Sequence, residues 1–105
     1  MISTMTDTDS KKILPQILAI LKEIVVCART GRYSDAASKM NTGIQQIQPV
    51  LLSGKIAAED LKKLTYSLET VLILQKQSDW VAVADVLEYE FSDLLKQAIV
   101  PLDQK

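Results

Sequence analysis

The sequence predicts an all-α protein, an antiparallel up-down-up-down four-helix bundle built from two similar helical hairpins. Apolar residues make up 48% of the 105 residues, and only three Gly and three Pro interrupt them, which is typical of an ordered helical domain. The apolar residues recur at spacings of three and four, and no segment shows the period of two that marks a strand. A phrase around Tyr33 is also repeated around Trp80.

A chain of this length forms one domain. We expect a disordered tail over residues 1–9 and a single four-helix domain over residues 10–102. Its two hairpins span residues 12–53 and 57–100. Because the connections are short, successive helices should be antiparallel neighbours.

The two halves align at an offset of 47 residues, which places Tyr33 on Trp80. Few aligned residues are identical, so the match is either an internal duplication or the likeness of any two amphipathic hairpins of equal length. We expect both aromatic side chains to cap the core at the bundle ends. The apolar pairs include Ala36 with Val83, Ala37 with Ala84, Met40 with Leu87, Ile44 with Phe91 and Ile47 with Leu94.

Proline and glycine residues predict the bounds of the first hairpin. Pro15 is tolerated in the first turn of a helix, so the first helix should begin near residue 12. Gly31 closes that helix. The second helix should end near Gly54, and Pro49 should kink its last turn or end it early.

The second hairpin repeats this plan. Its first helix is expected over residues 57–77, with Glu59 and Asp60 in the first turn, where negative charge is favourable. A polar break follows. The last helix begins at Trp80, and Pro101 should end it.

The composition argues against most catalytic and metal sites. The chain has no histidine and one cysteine, so it lacks the commonest general base and the ligands of a zinc site. Cys27 lies in an apolar run and is expected to be a buried, unreactive thiol. No glycine-rich phosphate loop is present. We therefore expect no catalytic, cofactor-binding or metal-binding residues, and no enzyme.

Charge and hydropathy limit the partners. The 12 basic and 13 acidic residues give a net charge of -1, which leaves no excess to neutralise phosphates, so nucleic acid is not expected. No apolar stretch approaches the ~20 residues of a membrane span. The N-terminus does not resemble a secretion signal. A cytoplasmic location is the expectation.

The stretch EYEF comes closest to a site. Glu90 borders the apolar face of the last helix, and its repeat mate is Gly43. Either Gly43 leaves room where Glu90 approaches the core, or Glu90 reaches solvent and the glycine is incidental. An enzyme or small-ligand binder would use Glu88, Glu90, Tyr89 or Tyr66.

A surplus of apolar residues on the third and fourth helices is the most informative feature. A bundle helix needs one apolar stripe, and these helices carry residues outside it. Exposed together, such residues would form an interface, unless an irregular bundle buries both stripes. The predicted partner-binding residues are Ile73, Leu74, Val81, Ala82, Val86 and Tyr89.

The stretch LILQKQSDWVAVADVLEYEFSDLL resembles the second half of the hairpin in flagellar export chaperones of the FliT and FlgN kind. The shared features are an apolar helix ending at Gln77, a break with Asp79 and Trp80, and a helix carrying Val83 and Leu87. VADVLEYEF also resembles a phrase in uncharacterised helical proteins of spore-forming bacteria. The first resemblance implies a small cytoplasmic protein that binds the helical tail of an export substrate through apolar helix faces.

These patterns favour a non-enzymatic, protein-binding adaptor or export-chaperone-like protein that uses the third and fourth helices. The alternative is a structural homo-oligomer with no further partner. In that case the patch is self-complementary, and a homodimer is expected.

Overall fold

The structure is a computed structural model that describes the secondary structure of residues 2–103 and the side chains of residues 13–99. Every regular element in this part is helical, with no strand, which confirms the all-α prediction. The elements are α1 (Ile2–Arg29), α2 (Tyr33–Leu51), α3 (Ala58–Lys76), α4 (Trp80–Val86), the π-helical turn π1 (Leu87–Phe91) and α5 (Ser92–Asp103). Because α4, π1 and α5 are continuous, we call them together the fourth helical run.

Helix α1 begins at Ile2, so the prediction of a start near residue 12 is wrong. Pro15 lies inside the helix and is exposed, where water can satisfy the backbone group that a proline leaves without a partner. The predicted disordered tail over residues 1–9 falls outside the residues whose side chains are described, and it stays a prediction.

The turn after α1 is a Schellman motif. Gly31 adopts φ +78°, and the Arg32 N–H donates to the Cys27 carbonyl over 2.8 Å. The Gly31 N–H also points to the Ala28 carbonyl, at 3.4 Å. This pair of bonds satisfies carbonyls at the helix end, so Gly31 ends α1 as predicted.

Gly43 brings α2 close to α1. A Cβ at this position would lie 3.1 Å from Ile20 Cγ2 and 3.7 Å from Ile24 Cδ1, both on α1. No atom of Glu90 is among these neighbours. The interpretation in which Gly43 leaves room for Glu90 is therefore wrong, and the glycine serves the α1–α2 contact.

Pro49 does not end α2, which continues to Leu51. Gly54, with φ +77°, then redirects the chain toward α3. In the linker Ile56 is buried, so this connection contributes to the core.

The turn between α3 and α4 repeats the motif that follows α1. Ser78 takes the position of the glycine, with φ +57°, and the Asp79 N–H donates to the Leu74 carbonyl over 2.9 Å. The Asp79 side chain accepts a hydrogen bond from the Ala82 N–H at 3.2 Å and caps α4. Because Gly31 and Ser78 are 47 residues apart, the two turns match at the predicted offset.

The π1 turn was not predicted. The Ser92 N–H donates to the Leu87 carbonyl, five residues earlier, and the Ser92 hydroxyl donates to the same carbonyl over 2.6 Å. The helix therefore continues through one wide turn that holds an extra residue. It runs on to Asp103, so the prediction that Pro101 ends it is wrong.

The extra residue changes the register of the repeat. Before π1 the offset of 47 pairs Met40 with Leu87, and both are buried. After π1 an offset of 48 pairs Ile47 with the fully buried Leu95, whereas its predicted mate Leu94 is half-buried. The two hairpins thus share one pattern, with a single insertion in the second.

The core lies between α1, α2, α3 and the fourth helical run. Helix α1 packs on both α2 and the fourth run, while α3 packs mainly on the fourth run. Arg29 of α1 joins the two hairpins, bonding Asp85 at 3.0 Å and Glu88 at 2.8 Å. Among the largest fully buried side chains are Phe91, Ile17, Ile24, Met40, Ile47, Leu64, Leu87 and Leu95.

Candidate functional site

The outer surface of the α3–α4 hairpin carries exposed apolar side chains. On α3, Tyr66 is 72% exposed and Ile73 is 56% exposed. They are seven residues apart, which is about two helical turns, so they lie on one face. This face is opposite the buried residues Leu64 and Val71.

The fourth helical run supplies the other side of the surface. Ala82, Val86 and Tyr89 follow one another at spacings of four and three, so they share a face. Tyr89 is 68% exposed, while Ala82 and Val86 are half-buried. We call the set Tyr66, Ile73, Leu74, Ala82, Val86 and Tyr89 the hairpin face.

A hydrogen bond joins the two helices beside this face. The hydroxyl of the buried Ser67 donates to Glu90 Oε2 over 2.7 Å. The turn at Ser78 and this bond define an antiparallel register that brings Tyr66 to the level of Tyr89. Glu90 as a residue is exposed, and its repeat mate Gly43 contacts another helix.

Four of the predicted site residues divide into two groups. Ile73 and Tyr89 are exposed, as predicted for an interface. Leu74 and Val86 are half-buried and pack against the core, so they support the hairpin face and present less surface to a partner than expected. The expected set omits Tyr66, although its spacing of two turns from Ile73 is visible in the sequence.

Val81 does not join the hairpin face. It is 66% exposed, but it precedes Asp85 by one turn and shares a flank with it. Asp85 and Glu88 bond to Arg29 of α1, so this flank is directed toward the first hairpin. The structure therefore separates Val81 from the other predicted residues.

The carboxylates of π1 are engaged by different helices. Glu88 pairs with Arg29 on α1, and Glu90 accepts from Ser67 on α3. The hydrogen bond from Arg29 to Glu88, followed by that to Asp85, raises the pKa of Arg29. Within the described residues, no three or more His, Cys, Asp or Glu side chains are grouped to hold a metal ion.

Two clefts lie on other surfaces. One of about 490 Å³ runs along the outside of α1 and α2, and its lining includes Val26, Cys27 and Lys39. Lys39 pairs with Glu23 at 2.8 Å, and this hydrogen bond raises the pKa of Lys39. Cys27 is only 3% exposed, which confirms the prediction of a buried thiol.

The second cleft, of about 240 Å³, lies between α1 and the fourth helical run beside π1. Leu21 and Val25 contribute apolar lining, and Lys22 and Lys96 contribute cations. Neither of these two clefts includes a residue of the hairpin face.

The chain belongs to a family described as a domain of unknown function, DUF8042, whose model matches residues 8–99. No curated protein matches the chain. No solved structure matches it. In the described part of the chain, no helix is both long enough and apolar enough to cross a membrane.

Proposed function

We propose that the chain is a non-enzymatic, protein-binding adaptor that holds its partner on the hairpin face. The observation that carries this proposal is the exposure of Tyr66, Ile73 and Tyr89 on neighbouring helices. Large exposed apolar side chains that cluster on one face are typical of interaction sites. Tyrosine is also among the residues that contribute most to binding energy at interfaces.

The arrangement around the face supports a rigid surface rather than a moving lid. Two half-buried members of the face, Leu74 and Val86, pack against the core, and the Ser67–Glu90 hydrogen bond joins α3 to the fourth helical run. A surface that is already ordered loses less conformational entropy when a partner binds.

An up-down-up-down order of the four helices is part of this proposal. In that order, contacts between neighbouring helices join residues at matching distances from the connecting turns. Two contacts that support it are Glu23 with Lys39 and Ser67 with Glu90. The contact of Arg29 with Asp85 joins the last turn of α1 to the start of the fourth helical run.

The export-chaperone-like form of the proposal depends on the resemblance of the second hairpin to flagellar export chaperones. In this form the protein is cytoplasmic, and its partner is the helical segment of a protein awaiting export. The alternative, a homo-oligomer without a further partner, uses the same apolar face for contacts between copies.

Capture from a lysate of the host tests the proposal. Tagged wild type is compared with an Ile73→Glu/Tyr89→Glu variant and with the control Val26→Glu, which alters a 48% exposed valine on α1. Both variants should stay folded because the altered side chains are exposed. Retained proteins are identified by mass spectrometry.

A heterologous protein retained by wild type and by Val26→Glu, but lost from the hairpin-face variant, supports the adaptor. Retention of only untagged copies of the chain favours the homo-oligomer. Equal retention by all three proteins overturns the proposed surface.

A further inference from the structure

The two hairpins carry opposite net charges. Residues 13–57 contain five basic and two acidic residues, a net charge of +3. Residues 58–99 contain four basic and eight acidic residues, a net charge of -4. The overall charge of -1 therefore conceals a strong separation between the halves of the molecule.

The surplus of negative charge is not neutralised within the second hairpin. In the first hairpin both carboxylates are paired, Glu23 with Lys39 and Asp35 with Arg32. Among the described residues, Asp93 has no cation within ion-pair distance, and Glu90 is held by a neutral hydroxyl.

Both carboxylates border the hairpin face. Asp93 follows Tyr89 by one helical turn, and Glu90 is adjacent to Tyr89 in sequence. The outer side of α3 is mixed, since Lys62 and Lys76 accompany Glu69 there, and all three are exposed. The negative border of the face therefore runs along the fourth helical run.

We infer that the partner's contact segment is a basic amphipathic helix, laid along the hairpin face with its cationic flank over Glu90 and Asp93. This inference rests on the proposed function and specifies the chemistry of the partner. Two adjacent antiparallel helices present an elongated apolar surface that accepts a third helix. Complementary charge along one edge sets the orientation of that helix and speeds association.

A second copy of the chain fits less well, although its first hairpin is basic. A contact in which the basic hairpin of one copy covers the acidic hairpin face of the next, without the reverse contact, is heterologous. Such contacts leave both outer surfaces free and extend into open filaments unless the rotation closes a ring.

Two synthetic peptides of ~18 residues, about 27 Å as helices, test the inference. One carries a leucine stripe flanked by lysines, and its twin has glutamate at every lysine position. Binding of each labelled peptide to the full chain is measured by fluorescence anisotropy at low and high salt. The protein variants are Asp93→Lys, its control Asp35→Lys with the same change in net charge, and Ile73→Glu.

We expect the basic peptide to bind at least about tenfold more tightly than its acidic twin, with the difference shrinking in high salt. Asp93→Lys should weaken the basic peptide about fivefold, Asp35→Lys should change its affinity less than about twofold, and Ile73→Glu should weaken both peptides. Equal binding of the twins, equal effects of Asp93→Lys and Asp35→Lys, or no binding of either peptide would overturn the inference.

The two proposals fail separately. If Ile73→Glu weakens both peptides while charge makes no difference, the hairpin face remains a binding surface and only the basic partner is refuted. The lysate comparison depends on the apolar residues of the face whatever the charge of the partner, so its failure removes the proposed function itself.

Discussion

The contact at Gly43 predicts that Gly43→Ala does not stabilise the protein, although the glycine lies inside a helix. At an open position this substitution should gain about 1 kcal/mol of helix propensity. Here the added Cβ would lie 3.1 Å from Ile20 Cγ2, closer than normal van der Waals contact. The neighbour is a β-branched methyl near its own backbone, so α1 must shift to relieve the contact.

Overpacking of this kind costs about 1–3 kcal/mol. Subtracting the gain in propensity leaves Gly43→Ala between neutral and about 2 kcal/mol less stable than wild type. The free energy of unfolding is measured by urea denaturation, followed by far-ultraviolet circular dichroism and by the fluorescence of the buried Trp80.

Repeating the substitution in an Ile20→Leu variant tests whether the contact with Ile20 causes the effect. Ile20→Leu removes the methyl branch at Cβ and costs less than about 1.5 kcal/mol by itself. In that background Gly43→Ala should stabilise by about 1 kcal/mol. As a control, Asn41→Ala on the exposed side of α2 should gain a few tenths of a kcal/mol with either residue at position 20. A gain of about 1 kcal/mol from Gly43→Ala in the wild-type background would refute the close α1–α2 contact.

Three further predictions follow from the turns and the core. Ser78→Gly should stabilise the protein by about 0.5–1 kcal/mol because the backbone of Ser78 is in the left-handed region, and Gly31→Ser should destabilise it. Both changes are measured from the urea midpoints, and a loss of stability in Ser78→Gly would contradict the Schellman motif. Deleting Tyr89 should convert π1 to regular α-helix and keep the core register, whereas deleting Thr70 rotates half of α3 by about 100° and should unfold the protein. Thermal melts of the two deletions test this, and equal damage would count against π1 as an insertion. The Cys27 thiol, 3% exposed, should react with a thiol reagent only in denaturant, so rapid labelling of the folded protein would contradict its burial.

The turns of both hairpins could be predicted because their signals are local. Gly31 and the break at Ser78 and Asp79 satisfy backbone groups that every helix end leaves unpaired, so the sequence alone places them. The start of α1 could not be placed in this way. Inside a helix Pro15 removes one backbone hydrogen bond and its ring displaces a carbonyl of the preceding turn, and an exposed helix can bend to accommodate both without ending.

The π1 turn escaped prediction because residues 87, 91 and 95 are spaced by four, which an α-helix also allows. The one available signal was the adjacent pair Leu94 and Leu95. The offset of 47 pairs Ile47 with Leu94, whereas the fully buried residue is Leu95, so the core position lies one residue later than the repeat predicts. The turn itself depends on the packing of the whole run against α1 and α3, which no local pattern records.

The hairpin face was predicted in part. Ile73 and Tyr89 point away from the apolar stripes of their helices, and that direction follows from helical periodicity. The half-burial of Leu74 and Val86 depends on how closely α3 approaches the fourth run. The separate flank of Val81 depends on Arg29, a residue of the other hairpin.

Site-specific photocrosslinking in the host's cells tests most directly whether the hairpin face is a binding surface. A photoreactive amino acid replaces Ile73 in one version of the chain and Val26 in another; these residues are 56% and 48% exposed on different hairpins. We predict a discrete crosslink to another protein from position 73 and none from position 26. The absence of any crosslink from position 73, or the same products from both positions, would contradict the account.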